Sequence, residues 1–355
     1  MTYLKYSASL GLLLLASSVS AGTVTSDGAD LVIKTRGGLS VETVDEQYSM
    51  QLGGRLMWDY NYSDGASDPL DNEDDFSLRR ARIYVKGNAQ DWSYKAQFNI
   101  GNSNGGTPED LYIRYNGWGK KAVVTVGKQK EPFGLEALTS SKYISVLERS
   151  AITEAYAAGR SEGVLLSGRD GAFTYAAGIF EDDGAANGDD DTVITARATF
   201  TPIESDNSVV HLGLAVSQRP DSVDVVGFEL AATSGSFHVQ TEFMQQDKAG
   251  VETDGYYIQA GWILTGESRP YKNGVFKQIK PNDPSGAWEI VARYEDGDGN
   301  FSDIELGKTD ATAYGLGVNW YLNKNTRLGV NYTQGEDNTN TDDGSEFRAR
   351  VQFTY

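Results

Sequence analysis

The sequence predicts an all-β protein, a transmembrane antiparallel β-barrel of about 16 strands with a long constriction loop folded into its lumen. Two observations lead to this fold class. From about residue 48 to the C-terminus, segments of about ten residues alternate apolar and polar side chains, and breaks rich in Gly, Asp and Asn separate them. A period of two puts alternate side chains on opposite faces of a strand. A strand that crosses a membrane needs about 9–11 residues, whereas about 5–6 is usual elsewhere.

Composition excludes several other classes. The chain has 355 residues, no Cys, two His and a formal net charge of −19. A nucleic-acid partner needs a basic footprint, a disulfide or Cys-based zinc site needs Cys, and a multi-His metal centre needs more His. The mean hydropathy is −0.44, and no apolar run reaches the roughly 18 residues of a membrane-spanning helix. We therefore predict no nucleic-acid partner, no cofactor, no metal and no enzyme activity.

The N-terminus reads as an export signal. Residues 1–21 contain a basic residue, Lys5, a short apolar run at 10–16 and small residues at 19–21, as secretory signal peptides do. A buried N-terminal helix is the alternative interpretation. We predict a signal peptide over 1–21, a short N-terminal periplasmic segment over 22–47 and the barrel over 48–355, which includes the constriction loop at 130–161.

The barrel strands follow from the alternation. It is clear where Trp92 and Phe98 share one face while Lys95 and Gln97 share the other. A soluble, secreted β-sandwich that binds carbohydrate could alternate in the same way, but its strands would be shorter. The predicted strands cover residues 48–62, 76–87, 92–101, 109–117, 122–129, 162–169, 172–180, 192–201, 208–218, 223–234, 236–246, 255–264, 287–295, 311–322, 326–335 and 345–355.

The connections support a membrane barrel. With an even number of strands, odd connections become external loops and even ones short periplasmic turns. The odd connections include the long 63–75 and 130–161, and the even ones include 88–91 and 170–171. The even connection at 265–286 is too long for a turn. Either it folds into the lumen, or the strand count shifts at this point.

Aromatic residues also fit this placement. Membrane barrels carry aromatic girdles at both interfaces, although packing in a soluble core is the alternative for any single ring. The chain ends on Tyr355, on the apolar face of its last strand. The aromatic residues near strand ends or outer faces are Trp58, Tyr60, Tyr62, Trp92, Trp118, Trp288, Trp320 and Tyr321.

Charge is segregated between loops and predicted inner faces. Acidic residues concentrate in connections such as 181–191, whereas the inner faces carry more cations than carboxylates. Basic rings in a pore favour anions, and charges beyond about 8 Å are largely screened at physiological salt. The inner cations are Arg55, Arg80, Arg82, Lys86, Lys95, Arg114, Arg197, Arg293, Arg348 and Arg350, and the inner carboxylates are Asp59, Asp110, Glu242, Glu289, Glu295 and Glu346.

Other interpretations of the charges stay open. Individual arginines could simply pair with carboxylates of the inner wall. An acidic mouth could instead control a general or weakly cation-selective pore. Asp296 to Asn300 starts like a calcium loop, but Phe301 and Gly307 replace its required Gly and Glu, so a solvated acidic rim is the better interpretation. Loose bridging to lipopolysaccharide through divalent cations stays open as an alternative.

An enzyme is the alternative of a different class. An outer-membrane barrel hydrolase would need a nucleophile beside a base. His238 shares a predicted inner face with Glu242, but no nucleophile motif accompanies either residue.

The connection at 130–161 carries the most specific signal. It contains the elements Lys130-Glu-Pro-Phe-Gly-Leu-Glu136, Thr139-Ser-Ser141 and Glu148-Arg-Ser150. Together with Phe76 to Gly87 and with later elements of the chain, these resemble the phosphate-selective porin O and P family. The later elements are Leu264-Thr-Gly-Glu267, Arg269-Pro-Tyr271, Gly286-Ala-Trp-Glu289 and Ala292-Arg-Tyr294.

The resemblance implies a sixteen-stranded, trimeric outer-membrane barrel that passes small inorganic anions, including phosphate. Its third loop would narrow the channel beside a site of Arg, Lys, Ser and Asp. By position, the central site would contain Ser140, Ser141, Arg149 and Asp110, where Arg donors and Ser hydroxyls suit phosphate oxygens. We predict that further basic residues extend the anion path: Lys128, Lys130, Arg160, Arg80, Arg82 and Arg114. Ala137 stands near the position where phosphate-selective members carry a Lys, and neither an external arginine ladder nor a rich lysine cluster is evident.

Overall fold

The structure is a computed structural model. It describes residues 22–26, 29–35, 38–65, 74–101, 106–182, 192–220, 222–299, 309–337 and 342–355. The predicted signal peptide, and most of the acidic run at 181–191, lie outside these residues. In the described part of the chain, no helix has the length and apolarity to cross a membrane.

Twenty-one strands and two short helices make up the described chain. Three strands precede the barrel: β1 Gly22–Ser26, β2 Ala29–Lys34 and β3 Leu39–Thr43. The first eight barrel strands are β4 Tyr48–Gly65, β5 Asp74–Ala89, β6 Trp92–Asn99, β7 Thr107–Tyr115, β8 Val123–Lys130, β9 Arg160–Asp170, β10 Phe173–Glu181 and β11 Thr192–Glu204. The other eight are β12 Ser208–Arg219, β13 Val223–Ser234, β14 Phe237–Lys248, β15 Val251–Ile263, β18 Ala287–Gly299, β19 Thr309–Tyr321, β20 Thr326–Asp337 and β21 Asp342–Thr354.

The remaining elements lie in two connections. Helices α1 Leu135–Leu138 and α2 Ala151–Tyr156 follow β8, and the hairpin of β16 Tyr271–Lys272 and β17 Val275–Phe276 follows β15. A 3-10 turn covers Gly119–Lys121.

The sixteen long strands form a closed antiparallel barrel. Each pairs with its neighbour along the chain, and β21 returns to β4, from Thr354 opposite Arg55 to Gly344 opposite Gly65. β15 pairs directly with β18, so the connection between them does not interrupt the sheet. Because the barrel is closed, each barrel strand has a hydrogen-bonded neighbour on both sides. A lipid environment requires backbone polar groups to be paired in this way.

The predicted strands are confirmed, with boundaries that differ by a few residues. The strand predicted at 255–264 begins at Val251, for example. The sequence prediction missed β1 to β3, which form a meander within the segment at 22–47 and pair onto β4 at residues 49–52. These strands are only five or six residues long, too short for the ten-residue pattern on which the prediction relied.

The two faces of the barrel differ as the alternation predicts. Phe98 on the outer face is exposed, whereas Gln97 on the inner face is 6% exposed. Aromatic pairs stack across neighbouring strands on the outer face, such as Trp288 with Trp320, whose ring centroids lie 5.1 Å apart, and Phe237 with Trp262. Such rings are typical of the interface between a membrane and water.

Two connections fold into the barrel. The inner loop, residues 131–159, packs Phe133 and Ile152 against Val225 and Met244 of the wall. The inner hairpin, residues 264–286, enters from the opposite end and buries Phe276 beside Leu135. Of the two alternatives that the sequence left for the 265–286 connection, the lumen is therefore correct.

Candidate functional site

Carboxylates of the barrel wall hold the backbone of the inner loop. Glu242 accepts hydrogen bonds from the amides of Leu135 and Glu136, both at 2.7 Å. Glu295 accepts one from the amide of Ala151 at 2.7 Å. These amides start α1 and α2, where the first turn of a helix leaves N–H groups unpaired, so the two wall carboxylates cap both helices.

Arginines of the wall hold the carbonyl groups of the same loop. Arg327 donates to the carbonyl oxygens of Ile144 and Ser145, both at 2.7 Å. Arg350 donates to Leu147 O at 2.5 Å. These contacts fasten the loop to strands β14, β18, β20 and β21.

Groups of the wall also hold the inner hairpin. Arg197 donates to Gly274 O at 2.9 Å, and Arg269 donates to Gln240 Oε1 at 2.7 Å. The Tyr271 hydroxyl contacts His211 Nδ1 at 2.5 Å. Loop and hairpin thus pack against the wall inside the barrel, and a cavity lies beside β4 to β9 and the inner loop.

This cavity has a volume of about 670 Å³, and we call it the basic cavity. Basic side chains dominate its wall, which strands β4 to β9 and the inner loop supply. Asp110 is the one carboxylate on this wall within the described chain. The basic lining residues are Arg55, Arg82, Lys86, Lys95, Arg114, Lys130, Lys142 and Arg160.

Asp110 is neutralised where it lies. Arg160 Nε donates to Asp110 Oδ1 at 2.6 Å, and Lys95 contacts Oδ2. A β-bulge in β7 places the neighbouring Glu109 inside as well, where it pairs with Arg82 and, at 2.9 Å, with Arg160 Nη1. Cations therefore outnumber carboxylates at this end of the basic cavity.

Two guanidinium Nε atoms at this end lack a protein partner in the described part of the chain. In the described part of the chain, the Nε atoms of Arg55 and Arg82 are buried and have no hydrogen-bond partner. Arg55 Nη1 donates to Ser140 Oγ at 3.3 Å. Buried polar groups ordinarily find partners, so free guanidinium donors in a lumen indicate a place for water or an oxyanion.

Lysines surround an aromatic ring lower in the basic cavity. Lys86 lies 5.4 Å, Lys95 5.9 Å and Lys142 6.0 Å from the centroid of Tyr84. The negative face of an aromatic ring stabilises such cations. Burial, together with the positive charges of Arg55, Lys86 and Lys95, lowers the pKa of Lys142, on the inner loop, to about 8.

A second basic cluster lies outside the basic cavity. A β-bulge between β4 and β5 turns both Arg79 and Arg80 toward Glu148 of the inner loop, with contacts of 2.9 and 3.1 Å. Arg348 and Arg350 reach the same carboxylate. The four positive charges hold the pKa of Glu148 well below its usual range despite burial.

The structure brings six of the ten predicted site residues together. All six line the basic cavity: Ser140, Asp110, Lys130, Arg160, Arg82 and Arg114. Lys130 also contacts the carbonyl oxygen of Ala137, and Arg114 donates to Thr125 Oγ1 at 3.0 Å.

The other four lie elsewhere. Arg149 binds loop carbonyls, with Glu136 O at 3.2 Å and Thr139 O at 3.3 Å, because the loop folds back over its guanidinium. Ser141 is buried in the loop, and Arg80 is paired with Glu148. Lys128 shares the outer face of β8 with Val126, because the inner face takes Gly127 and Gln129.

Sequence reasoning missed several residues of the two basic clusters. Lys142, Tyr84, Arg79, Glu109 and Glu148 were not predicted. Arg79 and Glu109 escape a period of two because each lies at a bulge, where an extra residue shifts the alternation. Lys142 could have been found from its place two residues after Ser140 in the same motif.

In the described part of the chain, no group of three or more His, Asp or Glu side chains is placed so that it could hold a metal ion. Asp296 and Asp298 belong to β18, and the remainder of that acidic stretch, Asp303 and Glu305, lies outside the described residues.

Comparisons with known proteins agree with this architecture. The family model described as "Phosphate-selective porin O and P" matches residues 50–222 and 215–355. Porin O of Pseudomonas aeruginosa is 31% identical over an alignment that covers 97% of each chain. An anion-selective porin from Comamonas acidovorans has a TM-score of 0.62 at 13% identity and covers 87% of this chain and 100% of its own. OmpT of Vibrio cholerae, expressed in the outer membrane, has a TM-score of 0.60 at 11% identity and covers 87% of this chain and 98% of its own.

The two solved structures share the fold of this chain. The family model and the Pseudomonas relative together establish its family and its location in the outer membrane. This chain therefore belongs to the phosphate-selective porin O and P family of bacterial outer-membrane proteins.

Proposed function

We propose that this porin is an anion-preferring diffusion channel whose solutes pass through the basic cavity, and that the inner loop narrows its lumen. One observation carries the proposal: among the residues that the structure describes, eight Lys and Arg side chains and a single carboxylate line the basic cavity. The inner loop and the inner hairpin both bind other strands of the wall inside the barrel, which supports a solute path beside these cations.

The net charge of the chain does not oppose this preference. The chain carries 50 Asp and Glu against 31 Lys and Arg. Charges that line the narrow path set ion selectivity, and those farther than about 8 Å away are largely screened at physiological salt. Many inner carboxylates, such as Glu229 with Arg197 at 2.5 Å, are moreover paired.

Phosphate is the oxyanion that we propose for the upper end of the basic cavity. Arg55 and Arg82 contribute guanidinium groups to the wall of the basic cavity, Ser140 offers a hydroxyl, and Lys130 and Arg160 add charge. A planar guanidinium suits the oxygen atoms of phosphate, and a conducting channel needs such a site to bind weakly enough for release. Porin O of Pseudomonas aeruginosa, the named relative, belongs with a family described as phosphate-selective.

Assembly into homotrimers and contact with lipopolysaccharide complete the proposal. The family resemblance supports the trimer, and in-vitro folded OmpT of Vibrio cholerae has been solved in a trimer form. A single barrel-sized species after chemical cross-linking in detergent would contradict the trimer.

Reversal potentials in planar bilayers test the selectivity. Under a KCl gradient we expect the reversal potential to have the sign of an anion-preferring channel. We also expect added phosphate to reduce the chloride current. Lys86→Gln removes one charge from the basic cavity and should move the reversal potential toward zero.

Lys121→Gln is the matched control. This lysine pairs with Asp170 at 2.8 Å on an exposed turn, so its loss should leave the reversal potential unchanged. A cation-preferring wild-type channel would contradict the proposal and would make the acidic mouth the controlling feature.

A further inference from the structure

Glu148 occupies a place that an anion would fill. Its two carboxylate oxygens receive paired hydrogen bonds from Arg79, at 3.0 and 2.9 Å, and from Arg80, at 3.2 and 3.1 Å. Arg348 Nη1 adds a contact of 3.2 Å, and Arg350 Nη2 adds another. A carboxylate offers about four acceptor positions, and Glu148 receives six contacts from these four guanidiniums, so the cluster has more donors than one carboxylate uses and suits an oxyanion.

Glu148 lowers the net positive charge of this cluster. Two other carboxylates share its arginines: Asp59 accepts from Arg350 Nε at 2.7 Å, and Glu346 accepts from Arg348 Nη2 at 2.7 Å. Four cations thus face three carboxylates, and they would face two if Glu148 were neutral. An excess of two positive charges in a narrow lumen attracts divalent oxyanions strongly.

The cluster is open to solvent at the edge formed by Arg79 and Glu148, whereas Arg80 and Arg350 are buried. The side chain of Arg79 is 40% exposed, and that of Glu148 is 23% exposed. The backbone around Glu148 is held by other groups, because Arg293 Nη1 donates to Glu148 O at 2.9 Å and Leu147 N donates to Asn331 Oδ1 at 3.0 Å. The carboxylate can therefore be exchanged for another anion, or removed by mutation, while the loop stays attached.

We propose that Glu148 is a specificity-determining residue: its tethered carboxylate occupies an oxyanion site formed by Arg79, Arg80, Arg348 and Arg350 and so prevents the channel from retaining phosphate there. The proposal rests on the anion channel described above. Conduction requires sites that an ion can leave, and a four-arginine site without an internal counter-ion would hold a divalent anion too tightly. The bound carboxylate lowers the affinity of the site by competition.

Glu148→Gln tests the proposal, because it keeps the shape of the side chain and removes its charge. The measurement is the concentration of inorganic phosphate that halves the chloride current of the purified full-length protein in planar bilayers. We expect this concentration to fall by at least about tenfold in E148Q, since divalent phosphate would gain the arginine donors that Glu148 releases. Adding Arg79→Ala to E148Q should reverse most of the gain.

Glu154→Gln is the matched control. It makes the same substitution in the same loop at an exposed carboxylate with one arginine partner, and it should keep the phosphate sensitivity of the wild type. If E148Q does not insert as a channel, Glu148→Asp takes its place as the test variant. Its shorter side chain loosens the contacts with Arg79 and Arg80, so E148D should also be more sensitive to phosphate than the wild type.

Wild-type phosphate sensitivity in E148Q, or in E148D where E148Q yields no channel, would overturn the proposal. The reversal potential of each variant in phosphate-free KCl reports the anion preference separately. A failure of the proposed channel function is therefore distinguishable from a failure of the role assigned to Glu148.

Discussion

Arg160 Nε donates to Asp110 Oδ1 over 2.6 Å, and this contact neutralises the one carboxylate that lines the basic cavity in the described part of the chain. Both side chains reach the lumen from neighbouring parts of the wall, Asp110 from β7 and Arg160 from the start of β9. Asp110 therefore acts as a counter-ion that limits the positive charge of the path.

Asp110→Asn should strengthen the anion preference. Removing one charge about 4 Å from the path alters the free energy of an anion by about 1 kcal/mol in a watery lumen, or about fivefold in permeability ratio. Reversal potentials under a KCl gradient measure this ratio. Asp170→Asn, which removes a carboxylate paired with Lys121 on an exposed turn, is the control and should have no effect. A weaker anion preference in D110N would show that Asp110 has another role.

Alkaline pH should weaken the anion preference through Lys142. Its pKa in the folded protein is lowered to about 8, so the ammonium is charged below that pH and neutral above it. We expect the reversal potential in KCl to move toward zero between pH 7 and pH 9. The unfolded chain still binds this proton up to its ordinary pKa near 10.5, so folding stability gains from rising pH in the same window and above it.

Lys142→Arg provides the control for this titration. Arginine keeps its charge throughout this range, so the reversal potential of K142R should be the same at pH 9 as at pH 7. Lys142→Gln should show the high-pH value already at pH 7. A pH response that K142R retains would assign the titration to another group.

Arg149→Ala should affect stability more than anion binding. Its guanidinium binds the carbonyl oxygens of Glu136, Ala137 and Thr139 and does not line the basic cavity. Losing hydrogen bonds from a charged donor costs about 1.5–3 kcal/mol each at most, so we expect a lower thermal unfolding temperature. Phosphate block of the chloride current should persist. Its loss would restore Arg149 to the central site that the sequence resemblance implied.

Glu242→Gln should loosen the inner loop. The Glu242 carboxylate accepts hydrogen bonds from the amides of Leu135 and Glu136 and from the Tyr257 hydroxyl at 2.6 Å, and a neutral amide can satisfy these donors only in part. We expect a larger or noisier single-channel conductance and faster proteolysis within residues 131–159. The more distant Glu162→Gln, on the outer face of β9, should change neither property.

Sequence reasoning predicted the barrel because its signal is local. The sequence of each long strand alternates apolar and polar residues, as that of Trp92 to Asn99 does, and the breaks between strands contain turn residues. The short strands β1 to β3 were missed because they are stabilised by pairing onto β4, which no local pattern records.

The site was harder to predict, since it depends on contacts between distant parts of the chain. The inner cations split into two groups that the sequence does not separate. Arg197 and Arg293 pair with wall or loop carboxylates, whereas Arg55, Arg82 and Lys86 line an open cavity. Contacts with the inner loop, the inner hairpin or another wall strand decide which group an arginine joins. Lys128 follows the alternation of β8 and lies on the outer face with Val126, because Gly127 and Gln129 take the inner face.

The chain has no Cys, so a single introduced thiol can report directly on the path of solutes. Ser93→Cys lies in the basic cavity, and Ser234→Cys lies exposed at the end of β13. The decisive measurement compares the rates at which an anionic and a cationic methanethiosulfonate modify each thiol. Our account predicts that Ser93→Cys reacts faster with the anionic reagent, relative to Ser234→Cys, and that modification reduces the current. A preference of Ser93→Cys for the cationic reagent would contradict it.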